Sequence, residues 1–220
     1  MTASPAAAEF APERVDRSLV VVLAGGQGKR AGGPKALKMV AGRPWWRLQC
    51  EAIATDGLAP VAVLHPDAWS CSEPPPSTPE QQPWAAPAPV MVVSSEPVEP
   101  AFHSLLRGLR ALPSGQGAWV LPVDCPWPGA AVLHPLTPAI ESDRFLAVIP
   151  IALTADGSWR GGHPVWLSAA AVHMLLGPAA GDPSHHRLDE WMRGHTDQVA
   201  RIAVAENSVL ANYNLDGISK

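Results

Sequence analysis

The chain lacks what would commit it to a disulfide scaffold, a membrane or a nucleic-acid polymer. Its three cysteines, Cys50, Cys71 and Cys125, are odd in number and form no CxxC pair. Neither a disulfide framework nor a cysteine-based zinc site is therefore encoded, and each is expected to be a reduced thiol. No apolar run approaches the roughly 20 residues that cross a bilayer. The first seventeen residues, MTASPAAAEFAPERVDR, lack the basic stretch and apolar core of a secretory signal. These absences point away from the membrane and toward the cytoplasm. A net charge of −4 argues against nucleic acid, which usually demands a broad basic face. No internal repeat is visible.

The most informative absence is local. Between residues 17 and 50 there is no Asp or Glu, yet seven of the sixteen Lys and Arg residues fall there, at 17, 29, 30, 35, 38, 43 and 47. A cationic segment in an acidic protein suits a small anionic ligand. Within it lies LAGGQGKRAGGPK, from Leu23 to Lys35, directly behind the apolar run Leu19-Val20-Val21-Val22-Leu23. Glycines at 25, 26, 28, 32 and 33 let the backbone take positive φ and approach a ligand closely. A strand emptying into such a loop presents N–H groups to a polyphosphate, while Lys29, Arg30 and Lys35 neutralise its charge. The plainer alternative is a solvated basic surface around a glycine turn.

At 220 residues a single domain is expected, spanning 18–220 behind a flexible tail at 1–17. Twenty-five prolines are unusual for this length. They cluster from 74 to 100, where neither a helix nor a central strand can persist. Residues 72–89 are accordingly expected to form a Pro-rich surface insertion, open to a protein partner. Short apolar runs at 19–23, 61–65, 90–94, 119–123 and 145–153 suit strands buried on both faces of a mostly parallel sheet. Helices are expected over 44–56, with Pro44 at its first position and Gly57 as its stop, and over 101–112, where Leu105, Leu106, Leu109 and Leu112 share a face. The β-α-β-β-α-β order predicts an α/β sandwich, whose ligands sit beyond the carboxyl ends of its strands. At those ends stand the glycine loop, Val123-Asp124-Cys125-Pro126 and Gly162-His163-Pro164-Val165.

These motifs together resemble the molybdenum-cofactor nucleotidyltransferases and their relatives among the sugar-phosphate nucleotidyltransferases. LAGGQGKRAGGPK is similar to the family's opening signature, with Ala31 where Met is usual. His103-Ser104-Leu105 resembles the segment that frames the base, although Glu99, Pro100 and Ala101 stand where glycine is expected. Val123-Asp124-Cys125-Pro126 resembles the Asp-x-Pro signature, and Gly162-His163-Pro164-Val165 the Gly-His-Pro-Val of the cytidylyltransferase branch. Asn212-Tyr213-Asn214-Leu215-Asp216 is similar to a closing motif whose Thr-Pro is missing here.

The resemblance implies a Rossmann-like three-layer sandwich of the glycosyltransferase A-like type. It also implies Mg2+-dependent transfer of NMP from CTP or GTP to a phosphorylated acceptor such as molybdopterin, releasing pyrophosphate. By motif position, Leu23, Ala24, Gly25, Gly26, Gln27, Gly28, Lys29 and Ser104 would hold the nucleotide. Arg30, Lys35 and Asp124 would be catalytic, and Asp124 with Asn214 would hold the metal, with Asp216 an alternative to Asn214. His163 and Pro164 would contact the acceptor or shape its loop. The LAGG form is associated with guanine users and GHPV with cytidine users, so the base stays open.

Two other classes compete. Gly26-Gln27-Gly28-Lys29-Arg30-Ala31 satisfies GxGxx(G/A), the mark of an NADP-dependent oxidoreductase. However, Gly32-Gly33-Pro34 interrupts the helix such a site needs, and His65-Pro66 stands where its acidic residue belongs. A catalytically inactive descendant that binds a nucleotide or a partner is the second. Trp45 and Trp46 are expected to be packing residues. The pair His185-His186 would point two ways on a helix, which argues against a metal site and leaves a contact with an acceptor phosphate open.

Overall fold

The computed structural model describes residues 19–26, 28, 33–66, 90–93, 100–177 and 187–213. The expected tail at 1–17 and insertion at 72–89 lie outside them, as do Gln27, Lys29, Arg30, Cys71, His185, His186, Asn214 and Asp216.

All five expected strands form, with ends shifted by up to two residues: β1 (Leu19–Ala24), β4 (Ala59–Leu64), β5 (Val90–Val93), β6 (Ala118–Pro122) and β7 (Ala147–Leu153). With β8 (Trp159–Gly161), β9 (Val165–Leu167) and β10 (Val199–Ala203) they make one eight-stranded sheet. Its order is β10-β7-β9-β6-β1-β4-β5, and β8 pairs with β7. β1 lies parallel to β4 and β6, and β4 parallel to β5. β9 runs antiparallel between β6 and β7, and β10 closes the edge parallel to β7. The sheet is thus mixed but mostly parallel.

β1 shows why a continuous apolar run makes a central strand. Successive side chains point to opposite faces, so Val20 and Val22 enter one core while Val21 enters the other, all fully buried. Each such side chain contributes roughly 1.5–3 kcal/mol through its removal from water.

One layer over the sheet is led by α1 (Trp45–Thr55), which buries Trp46, Gln49, Cys50 and Ile53. Pro44 is its cap rather than its first residue, and Gly57 follows its end at φ +77°. The short helices α3 (Ala130–Leu133) and α4 (Thr137–Glu141) send Leu133 and Ile140 into the same core.

The opposite layer holds α2 (Ala101–Arg110), α5 (Ala169–Leu176) and α6 (Leu188–Gly194). α2 ends two residues earlier than expected, and Leu112 is partly buried beyond it. It lies close on the sheet because of Gly108. A Cβ there would come within 2.4 Å of Val21 Cγ1 and 2.9 Å of Val63 Cγ2. The Ser168 side chain caps α5 by accepting from the Ala171 N–H at 3.2 Å.

Three strands and a hairpin were not expected from sequence. The hairpin strands β2 (Met39–Val40) and β3 (Arg43–Pro44) are two residues each, and β8 and β9 three. Runs this short carry no readable period, and β9 acquires its place only through neighbours distant in sequence.

Candidate active site

The carboxyl ends of β1, β4 and β6 meet at one edge, and backbone bonds fix their exits. Val123 N–H donates to Leu23 O at 3.0 Å and His65 N–H to Ala24 O at 3.4 Å. Beyond β1 the chain turns through Gly28 at φ +59°, and Gly33 N–H closes the turn on Gly28 O at 3.2 Å. No side chain fits at position 28, because a Cβ there would lie 1.8 Å from Gly33 O. The loop then enters a 3-10 turn over Lys35–Leu37, anchored by fully buried Ala36. A dinucleotide site would need a helix starting here, and its second strand would end in an acid. The 3-10 turn and His65 replace both.

That turn aims Lys35 across the site. Its Nζ donates to Asp124 Oδ2 at 2.9 Å, joining residues 89 positions apart, and each side chain is 24% exposed. Two of the three residues expected to be catalytic are therefore in contact. The pair is accessible enough for a ligand to insert, yet shielded enough for its charges to act strongly on one.

Asp124 sits in a loop gripped from several elements. Trp45 Nε1 donates to Val123 O at 2.5 Å. Gln49 Nε2 donates to Cys125 O at 2.7 Å and to Val123 O at 3.3 Å, while its Oε1 accepts from Trp127 N–H at 2.9 Å. Tyr213 N–H donates to Asp124 O at 2.7 Å, and its ring meets Trp45 edge-on at 6.0 Å. Trp46 is a core residue and Trp45 packs against the same core, both as expected, and the Trp45 indole N–H also reaches the site. Gln49 left one readable signal, a lone amide among the buried positions 46, 50 and 53. Tyr213 left none.

Cys125 does not act beside Asp124. Burial pushes its thiol up to about 12, with the Asp124 charge adding and Lys35 opposing, so it carries no thiolate at neutral pH.

The GHPV segment reaches the same end of the sheet. Gly162 lies against the backbone of Val209, where a Cβ would stand 2.4 Å from the carbonyl oxygen. Gly162 N–H donates to Pro150 O and His163 N–H to Val209 O, each at 2.8 Å. The His163–Pro164 bond is cis. Burial holds the His163 imidazole below its ordinary pKa, while the Asp124 charge pulls the other way. Its buried Nδ1 has no hydrogen-bond partner among the described residues. Pro164 is buried.

Ala24 and Gly25 are buried at the end of β1, Leu23 is half-buried there, and Gly26 faces solvent. Ser104 is buried on the inner side of α2. Gln27, Lys29, Arg30 and Asn214 lie outside the described residues, so this geometry does not bear on them.

Among the described residues, no group of three or more His, Cys, Asp and Glu side chains gathers as a metal cage. Asp124 offers one accessible carboxylate with a lysine on one oxygen. That donor set fits a hard divalent ion that keeps waters and takes phosphate oxygens, and it does not fit zinc. No helix among the described residues is long and apolar enough to cross a membrane.

Residues 20–199 match the family described as the MobA-like NTP transferase domain. No curated protein matches the chain significantly. Among solved structures, Rv0371c from Mycobacterium tuberculosis H37Rv superposes with a TM-score of 0.58 at 22% identity, over 86% of this chain and 89% of that one. The same protein in complex with manganese gives 0.56 at 19%, over 84% and 87%. The 2-C-methyl-D-erythritol 4-phosphate cytidylyltransferase from Thermus thermophilus gives 0.56 at 18%, over 91% and 95%. Identities this low speak to the fold, which is the α/β nucleotidyltransferase fold.

Proposed function

This chain belongs to the MobA-like NTP transferase domain family, and from that premise we propose that it transfers NMP from CTP or GTP to a small phosphorylated acceptor of the molybdopterin kind. The observation that carries this is the contact between Lys35 and Asp124, where the glycine loop and the Asp-x-Pro loop meet.

In the transfer, an acceptor phosphate oxygen attacks the α-phosphorus. The bond from that phosphorus to the bridging oxygen breaks, and its electron pair leaves with pyrophosphate. A phosphate nucleophile is already anionic at neutral pH, so positioning and charge neutralisation supply the acceleration. N–H groups of residues 25–28 cradle the phosphates. Lys35 leaves Asp124 to pair with the α-phosphate or the acceptor, and Arg30, by its place in the motif, neutralises the β- and γ-phosphates. Ser104 borders the base. His163, kept neutral by burial, offers a hydrogen bond rather than a charge to the acceptor.

Asp124 is the ligand for Mg2+, which would draw charge from the phosphate oxygens when bound. Asn214 is proposed as the second ligand. Its support is that the preceding residue, Tyr213, is hydrogen-bonded to the Asp124 backbone.

The test is pyrophosphate release from CTP, GTP, ATP and UTP, with Mg2+ and a panel of phosphorylated acceptors. Release with CTP or GTP, dependent on both acceptor and Mg2+, is expected. Nucleotide binding with no release under any acceptor would contradict it and identify a non-catalytic descendant.

A further inference from the structure

We infer that Gln49 is a positioning residue for the metal ligand, holding the Asp124 carboxylate in place through the backbone on both sides of it. Its role rests on Asp124 being the ion's ligand, as proposed above.

Gln49 is 3% exposed and projects from α1 beneath the loop that follows β6. A buried side-chain amide has two donors and one acceptor oxygen to satisfy, and leaving them unpaired is costly. Here the loop satisfies them. Nε2 donates to Cys125 O at 2.7 Å and to Val123 O at 3.3 Å, and Oε1 accepts from Trp127 N–H at 2.9 Å. The two carbonyls bracket Asp124. The Trp127 bond fixes the direction in which the chain leaves, past Pro126.

Gln49 spans both sides of the carboxylate, and its neighbours each hold a single carbonyl. Trp45 reaches Val123 O, and Tyr213 N–H holds Asp124 O. Without Gln49, Cys125 O and Trp127 N–H lose these partners, and the downstream hold passes to Asp56, farther from the carboxylate, which accepts from the Trp127 indole at 2.6 Å and from Ala130 N–H at 2.8 Å. Apolar contact could fill the same space, so packing alone gives no reason for an amide in a stripe otherwise made of Trp46, Cys50 and Ile53. The requirement is for a group that donates upstream and downstream of one carboxylate.

Gln49→Met separates hydrogen bonding from shape, because it keeps the length and volume of the side chain and removes every bond. Gln49→Asn keeps the amide and removes the reach. The probe is Mn2+, whose binding in the presence of a non-hydrolysable nucleoside triphosphate is followed by electron paramagnetic resonance, with Asp124→Asn beside it. Thermal unfolding of each variant reports folding.

The expected result is Mn2+ affinity weaker by about 10-fold or more in Gln49→Met, the range seen when groups that orient a metal ligand are removed. Turnover falls through kcat with little change in KM for the nucleotide. Should the methionine variant fail to fold, the asparagine variant is expected to show the same loss. Unchanged Mn2+ affinity and unchanged kcat in a folded variant, whatever its Tm, would overturn the role and leave Gln49 purely structural. Failure of the underlying assignment looks different, because Asp124→Asn would then bind Mn2+ as tightly as the native protein.

Discussion

The two loops that meet at the Lys35–Asp124 contact are shaped in opposite ways. The loop after β1 is shaped by its own backbone. Gly28 takes a left-handed conformation, Gly33 closes on it, and a Cβ at 28 would collide with Gly33 O at 1.8 Å. The loop after β6 is shaped from outside, its carbonyls at 123, 124 and 125 held by Trp45, Tyr213 and Gln49. The first suits a loop that lays backbone N–H groups along a ligand. The second suits one that must present a single carboxylate at a fixed angle. The division predicts which changes disturb binding and which disturb catalysis.

The largest effect is expected at Asp124. Asp124→Ala removes the ion's ligand and should lower Mg2+-dependent pyrophosphate release by on the order of 10³-fold, the scale of losing a charge-stabilising group. Its ion pair with Lys35 is partly solvated, so unfolding should change by less than about 1 kcal/mol. A large loss of stability would contradict a functional rather than a structural carboxylate.

Gly28→Ala attacks the other loop. The new Cβ must displace Gly33 or unwind the left-handed turn, at about 1–2 kcal/mol. Nucleotide affinity, read by calorimetry, should fall by about 10-fold, equivalent to about 1.4 kcal/mol. Native-like affinity would show that the turn does not shape the phosphate cradle.

Trp45→Phe removes one donor from Val123 O and leaves Gln49 in place. The cost should be about 1 kcal/mol in chemical denaturation, with kcat reduced only a few-fold. A loss as large as that of Asp124→Ala would mean that Trp45 contacts the substrate itself.

The smallest effect concerns pH. Burial lowers the His163 pKa in the folded state, so between the folded and unfolded values the unfolded chain binds more protons. Stability then rises with pH through that window. It is fully present above the ordinary value of about 6.5 and is lost as pH falls below it, at no more than about 1.4 kcal/mol per pH unit. His163→Gln should flatten the slope of stability between about pH 5 and 7. An unaltered slope would remove His163 as its source.

The same contrast explains what could be read in advance. The glycine loop announces itself locally, through consecutive glycines behind an apolar strand, and β1, β4, β6 and β7 are equally local signals. The antiparallel insertion of β9 between β6 and β7 was not legible, because three apolar residues gain their place only from partners distant along the chain. The grip on Asp124 is of that second kind. Trp45 packs against the core as its sequence suggests, but its second role was hidden because its indole N–H finds its acceptor 78 positions on. Tyr213 acts through its backbone N–H, a group every residue but proline carries, so its side chain gave no hint.

The central claim is that Asp124 binds the divalent ion that accompanies a nucleoside triphosphate. It is tested most directly by calorimetric titration of CTP and GTP into native protein and Asp124→Asn, with and without Mg2+. The native protein should bind CTP or GTP more tightly with Mg2+ than without, and the substitution should abolish that increment while leaving metal-free binding in place. An increment of equal size in both proteins would contradict the claim.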